Sequence, residues 1–184
     1  MPDIGILLEM IKSDARLEVV KLNGKNQVTL IEPQNDKGNV VVFGLPDDIV
    51  VIKADRFKSP DAVFCGSKGE CKRADFVIVA NTGNKRVILC IEMKARRDSE
   101  KEIVQQLAGT RCFMTYCQEI GRTFWRQQDF LSGYAYRFIS IGQISIDKKK
   151  TRMTRLGGLH DQPERMLKIA WPHHLQFNQL AGGS

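Results

Sequence analysis

Residues 73–106, RADFVIVANTGNKRVILCIEMKARRDSEKEIVQQ, decide how this chain is read. Asp75-Phe-Val-Ile-Val-Ala80 and Val87-Ile-Leu-Cys-Ile-Glu-Met93 are apolar, β-branched runs, and Asn81-Thr-Gly-Asn-Lys-Arg86 between them is turn chemistry. A two-residue loop at Gly83-Asn84 pairs Thr82 with Lys85. Counting outward from that pair sets Asp75 directly opposite Glu92, with both side chains on one face. Lys94, two residues beyond Glu92, projects from the same face.

Two carboxylates placed opposite each other repel, and at the ends of apolar strands an unpaired charge is costly. A divalent cation between them removes both problems. Carboxylate oxygens, waters and substrate phosphate are the hard donors that Mg²⁺ prefers, and Mn²⁺ is expected to substitute. Such a metal polarises a phosphoryl oxygen and acidifies an attacking water, and a neighbouring lysine stabilises developing charge. Asp75, Glu92 and Lys94 together form a constellation suited to phosphodiester cleavage.

Asp75…Glu92-Met93-Lys94 on a hairpin, followed by a helix with Gln105 and Gln106, resembles the PD-(D/E)xK nuclease superfamily. The resemblance implies an α/β, restriction-endonuclease-like fold, with a mixed central sheet flanked by helices. It implies Asp75 and Glu92 as metal ligands with the Met93 carbonyl as a third, Lys94 as the catalytic lysine, and Gln105 or Gln106 as a supporting residue. Two departures stand out. Asp75 follows Ala74 rather than Pro, and the literal Pro60-Asp61 makes Asp61 a rival first carboxylate. No Tyr follows the glutamines; Gly109 or Thr110 stands at that spacing, away from the exonuclease-type helix motif. Members of the superfamily often carry an acid on an opening helix, for which Glu9 and Glu18 are the candidates by analogy, although each reads first as a solvated side chain on the helix face.

Beyond the hairpin, Asp98 or Ser99 is placed to cap a helix whose first turn is acidic, and Gly121 is expected to end it. Gly109 either kinks that helix or permits close packing. Arg96 and Arg97 offer forked donors to phosphate. Lys72 and Arg73, on the loop before Asp75, are further phosphate candidates, and Glu70 on that loop is a candidate extra ligand. Asp147 to Arg155 carries Lys148, Lys149, Lys150 and Arg152, and reads as a basic arm able to clamp a duplex backbone. Arg122 to Asp129 interleaves Phe124 and Trp125 with arginines, which suits nucleic-acid stacking or core anchoring.

Residues 3–21 have largely helical apolar spacing and are expected to form one amphipathic helix, with a break near Ser13. Strands are expected over Gln27–Ile31, Asn39–Phe43, Ile49–Lys53, Ala62–Cys65, Tyr136–Ile146 and Met166–Trp171. A single domain over 1–184 follows, with a catalytic core at about 55–146 and the arm at about 147–156. Five cysteines without a CxxC pair suggest a reduced, cytoplasmic chain and argue against a zinc ribbon. The N-terminus lacks the basic start of a signal peptide, and no apolar run is long enough to span a membrane. A net charge of +7 favours a polyanionic partner. The expected function is therefore Mg²⁺-dependent cleavage of nucleic acid, DNA favoured over RNA, by a homodimer or the catalytic subunit of a larger complex. The alternatives are a catalytically silent nucleic-acid-binding module on the same fold and a subunit that meets an acidic protein.

Overall fold

In the computed structural model of the chain, the Gly83–Asn84 loop turns as its chemistry dictates. Gly83 takes φ +84°, a conformation glycine adopts at little cost, and the Thr82 N–H donates to the Lys85 carbonyl (2.9 Å). Phe76–Asn81 and Arg86–Lys94 then pair antiparallel, from Asn81 with Arg86 out to Phe76 with Ile91. The next pair outward is Asp75 with Glu92, the register expected from the loop length. The structure describes residues 1–31, 38–94, 99–142, 159–172 and 174–182.

Along the chain, α1 (Asp3–Met10) leads into two short strands, β1 (Arg16–Leu17) and β2 (Val20–Leu22). Three longer strands follow: β3 (Lys25–Ile31), β4 (Asn39–Leu45) and β5 (Asp48–Lys53). The hairpin supplies β6 (Phe76–Asn81) and β7 (Arg86–Lys94), and α2 (Glu100–Phe124) comes next. Then come β8 (Ala135–Gly142), β9 (Leu167–Ala170), β10 (His174–Gln176) and α3 (Phe177–Leu180). The fold is mixed α/β with two mixed sheets. One has six strands in the order β1-β5-β6-β7-β8-β9, and the other has four in the order β10-β4-β3-β2. In the larger sheet β8 runs parallel to β7, because α2 carries the chain back across the sheet before β8 begins.

β6 and β7 are buried along almost their whole length. That is why they read as continuous apolar runs rather than alternating ones. Val77, Val79, Ile88 and Cys90 face α1 and α2, where Leu7, Leu107 and Met114 cover them. Ile78, Leu89, Ile91 and Met93 face the four-stranded sheet, packing against Val28, Leu30, Val40 and Val42. The two longer helices, α1 and α2, thus lie on one face of the central sheet. The other face is covered by a second sheet and the short α3, where flanking helices were expected.

Three further expectations change. The opening helix stops at Met10, and Leu17 belongs to β1, pairing with Val51 at the edge of β5. An apolar residue there gains a ladder as well as burial, which overrides its helical spacing. Ala62–Cys65 is not a strand: Pro60 opens a 3₁₀ turn, and the Val63 and Phe64 N–H groups donate back to its carbonyl (both 3.0 Å). Gly121 lies inside α2, which continues to Phe124; a Cβ there would collide with the Phe130 ring. The strand expected over Tyr136–Ile146 is present from Ala135 to Gly142, and its expected continuation over 143–146 lies outside the described residues. Among the described residues no helix is long and apolar enough to cross a membrane.

Candidate active site

The site forms where the hairpin, the loop before it and the first half of α2 meet. Asp75 stands just outside β6, and its Oδ2 accepts the Met93 N–H (2.7 Å). The carboxylate thereby takes a ladder position that the backbone of Ala74 would otherwise fill. In an extended strand a residue's N–H and C=O leave along the same edge, so the Met93 carbonyl also lies on the edge that Asp75 occupies. Glu92, one residue earlier, points to the α2 face and is fully buried. Lys94 Nζ lies 3.0 Å from Glu92 Oε1, with its side chain 27 % exposed. The first carboxylate, the second carboxylate and the lysine therefore converge on one end of one sheet face.

Asp75 is held from both directions. Its carbonyl accepts the Ala54 N–H (2.8 Å), and the preceding Ala74 N–H donates to Thr110 Oγ1 on α2 (2.7 Å). Thr110 in turn donates to the Gln106 carbonyl (3.0 Å). Close approach of helix and loop is possible because residue 109 is glycine: a Cβ there would collide with the Lys72 carbonyl oxygen. Of the four buried polar side chains among the described residues, three lie on this face: Glu92, Thr110 and Ser140. Ser140 is the β8 neighbour of Glu92 in register.

No family model, curated protein or solved structure matches this chain.

The two glutamines part company. Gln105 is spent on the loop: its Nε2 donates to the Lys68 carbonyl (2.9 Å) and its Oε1 accepts from Lys72 Nζ (3.1 Å). Gln106 shares the Thr110 face of α2, and helical side chains lean toward the helix start, here the Lys94 end of the sheet. Its Oε1 is buried with no hydrogen-bond partner among the described residues. Such an oxygen is met by a proton on a bound water or ligand.

Lys72 also pairs with Glu102 (2.9 Å), so it fastens the loop to α2. Glu70 closes its own loop by accepting the Gly66 and Lys68 N–H groups (3.0 and 2.8 Å), and backbone N–H donors hold its carboxyl below the usual range. Arg73 lies over the Phe57 ring, 5.1 Å from its centroid, and burial pulls its guanidinium pKa down. Glu9 accepts from Trp125 Nε1 (2.9 Å), and that ring packs against the core, so the Arg122–Asp129 segment anchors the end of α2. Glu18 is an exposed residue between β1 and β2, and Asp61 is an exposed residue of the Pro60–Ala62 turn, acting on Arg73. Arg96, Arg97, Lys148, Lys149, Lys150 and Arg152 lie outside the described residues.

Among the described residues no three of His, Cys, Asp and Glu gather into a cage. What the hairpin offers is two carboxylates and a carbonyl, all hard oxygens. That set suits Mg²⁺, which keeps several waters and binds through one or two carboxylates plus substrate phosphate. It does not suit a soft or fully protein-caged ion. The donor set fits the metal the sequence implies. Thr110 and Ser140 escaped the sequence reading, because an isolated hydroxyl in a helix or strand carries no periodic signal.

Proposed function

We propose that the chain is a metal-dependent nuclease of restriction-endonuclease-like fold that hydrolyses phosphodiester bonds, DNA favoured. The observation that supports it most is the register that sets Asp75 beside fully buried Glu92, with Lys94 3.0 Å from it. A fully buried carboxylate contributes little to stability, since its desolvation offsets most of the attraction to its partner. Keeping one opposite a second acid calls for a counter-charge, and a bound cation beside Lys94 would supply it.

Asp75, Glu92 and the Met93 carbonyl would hold Mg²⁺. When bound, the ion supplies charge to the scissile phosphate and lowers the pKa of a water. Lys94 brings the mobile cation of the site: partly exposed and hydrogen-bonding through three donors, it can turn from Glu92 to an attacking water or a phosphate oxygen. Gln106 Oε1 would accept a hydrogen bond from that water and help to orient it. Thr110 holds the Ala74 backbone, and so the Asp75 carboxylate, at fixed distance from α2.

One observation also fits a silent binding module: the Lys94–Glu92 pair neutralises the buried acid without any metal. Supercoiled plasmid with Mg²⁺ or Mn²⁺, with EDTA and the Glu92→Ala and Lys94→Ala variants as controls, separates the two. Nicking that needs metal and falls at least ~10²-fold in both variants supports the nuclease. Folded wild-type protein that binds DNA and cuts neither plasmid, single strands nor RNA supports the silent module.

A further inference from the structure

Beside the carboxylates lies a shelf of exposed rings that the hydrolytic chemistry does not use. Phe57 is 36 % exposed and Tyr116 54 %, although both are large and apolar. Their ring centroids are 6.1 Å apart, and both rest on α2, Phe57 through Phe113 at 5.0 Å. Phe57 is flanked by the exposed Arg56 and Lys58. On its other side Arg73 lies over the ring, with its Nη1 donating to the Cys71 carbonyl (3.4 Å). Arg73 Nε is buried without a hydrogen-bond partner among the described residues.

The shelf is tied to the site by backbone. Ala54, three residues before Phe57, donates to the Asp75 carbonyl, and Arg73 is two residues before Asp75. Along α2, Thr110 marks the contact with Ala74, and Phe113 and then the more exposed Tyr116 follow it, turning outward around the helix. At 1.5 Å per residue they lie roughly 5 and 9 Å further along the helix axis, about the reach of one to three stacked nucleotides.

We infer that this shelf takes an unpaired stretch of nucleic acid, with a base stacked on Phe57 or Tyr116 and its phosphate met by Arg56, Lys58 or Arg73. The inference rests on the nuclease reading and deepens it, because it names the substrate class as strands with unpaired nucleotides next to the cleaved bond. Rings alternating with cations are the combination that binds single strands: every base has a π-face to stack, and the cations follow the backbone. An aromatic buried in a duplex-clamping surface would have no base face to meet, since duplex contacts fall mostly on phosphate and sugar.

The test is fluorescence anisotropy of the full chain with a labelled single-stranded oligodeoxynucleotide and with its duplex, in EDTA so that nothing is cut. Phe57→Ala and Tyr116→Ala are each expected to weaken single-strand binding about tenfold while duplex binding stays level, and Phe57→Trp to restore it. Equal single-strand affinity in wild type and both alanine variants, or a parallel loss for both oligonucleotides, overturns the inference. Plasmid cleavage by the wild type is measured alongside. A wild type that cuts, with ring-independent binding, leaves the nuclease reading standing and removes the shelf. Ring-dependent single-strand binding by a wild type that never cuts does the reverse.

Discussion

Glu92 and Met93 are consecutive in β7, equally buried, and turned to opposite faces of the six-stranded sheet. Met93 enters a layer of valine, isoleucine and leucine between the two sheets, where every neighbour gains by excluding water. Glu92 enters the helix-covered face, where the apolar layer of Val77, Val79 and Cys90 gives way at the strand ends to Asp75, Lys94, Thr110 and Ser140. One face closes the fold. The other is closed for most of its area and polar at a single end. Burial alone does not distinguish the two, but the chemistry of what is buried does.

The largest effects are expected from exchanging the two roles. Met93→Ala removes buried thioether from the inter-sheet layer and is expected to cost about 2–5 kcal/mol in urea unfolding. It keeps the backbone N–H that Asp75 accepts and the carbonyl beside it, so cleavage well below the melting temperature should survive. Glu92→Leu is expected to leave stability level or raise it by about 1–3 kcal/mol, because Lys94 is exposed enough to turn its ammonium to water. Cleavage by that variant should vanish. A Glu92→Leu protein as destabilised as Met93→Ala would make Glu92 a structural ion-pair partner and erase the contrast between the faces.

A smaller effect sharpens the polar end. Thr110→Val keeps shape and volume but strips the acceptor from a buried Ala74 N–H, which should cost about 1–3 kcal/mol. Because that N–H immediately precedes Asp75, cleavage should fall about tenfold at saturating substrate, with DNA binding in EDTA little changed; Thr110→Ser should recover both. Cleavage at the wild-type rate in a destabilised Thr110→Val protein would show that the Met93 and Ala54 contacts suffice to place the carboxylate.

The hairpin end of this face was legible because two local signals agreed. A two-residue loop fixes the register, and the apolar runs on either side leave little freedom to slip, since a slip by one residue would turn Glu92 into the inter-sheet layer. The rest of the site depends on tertiary distance. Nothing in Gly109 by itself separates a kink from a close approach; the Lys72 carbonyl above it decides. Gln105 and Gln106 are adjacent letters that the 100° helical step sends to a loop and to the site respectively. The covering of the far face was equally hidden. Gln27–Ile31 and Asn39–Phe43 read as strands, but their patterning does not say which sheet they lie on. Leu17 had helical spacing and went to β1 because the β5 edge needed a partner.

The smallest expected effect tests whether a buried titratable group is by itself a sign of function. His160 is as enclosed as the polar residues of the site, yet its Nε2 lies 2.7 Å from the Leu180 carbonyl and its own carbonyl accepts the Phe138 N–H (2.8 Å). Burial pulls its pKa below the ordinary 6.5. The unfolded chain therefore takes up the proton first as the pH falls, so stability is full above about pH 6.5 and declines below it. Melting temperature should drop between pH 7 and pH 5, and His160→Gln, which can still donate to Leu180, should flatten that slope. Cleavage rates of the wild type and His160→Gln at pH 7 should agree. A His160→Gln protein that folds but cuts slowly would mean the histidine reaches the chemistry. The division between a face that closes the fold and a face that works would then have to be redrawn through the α3 end of the molecule.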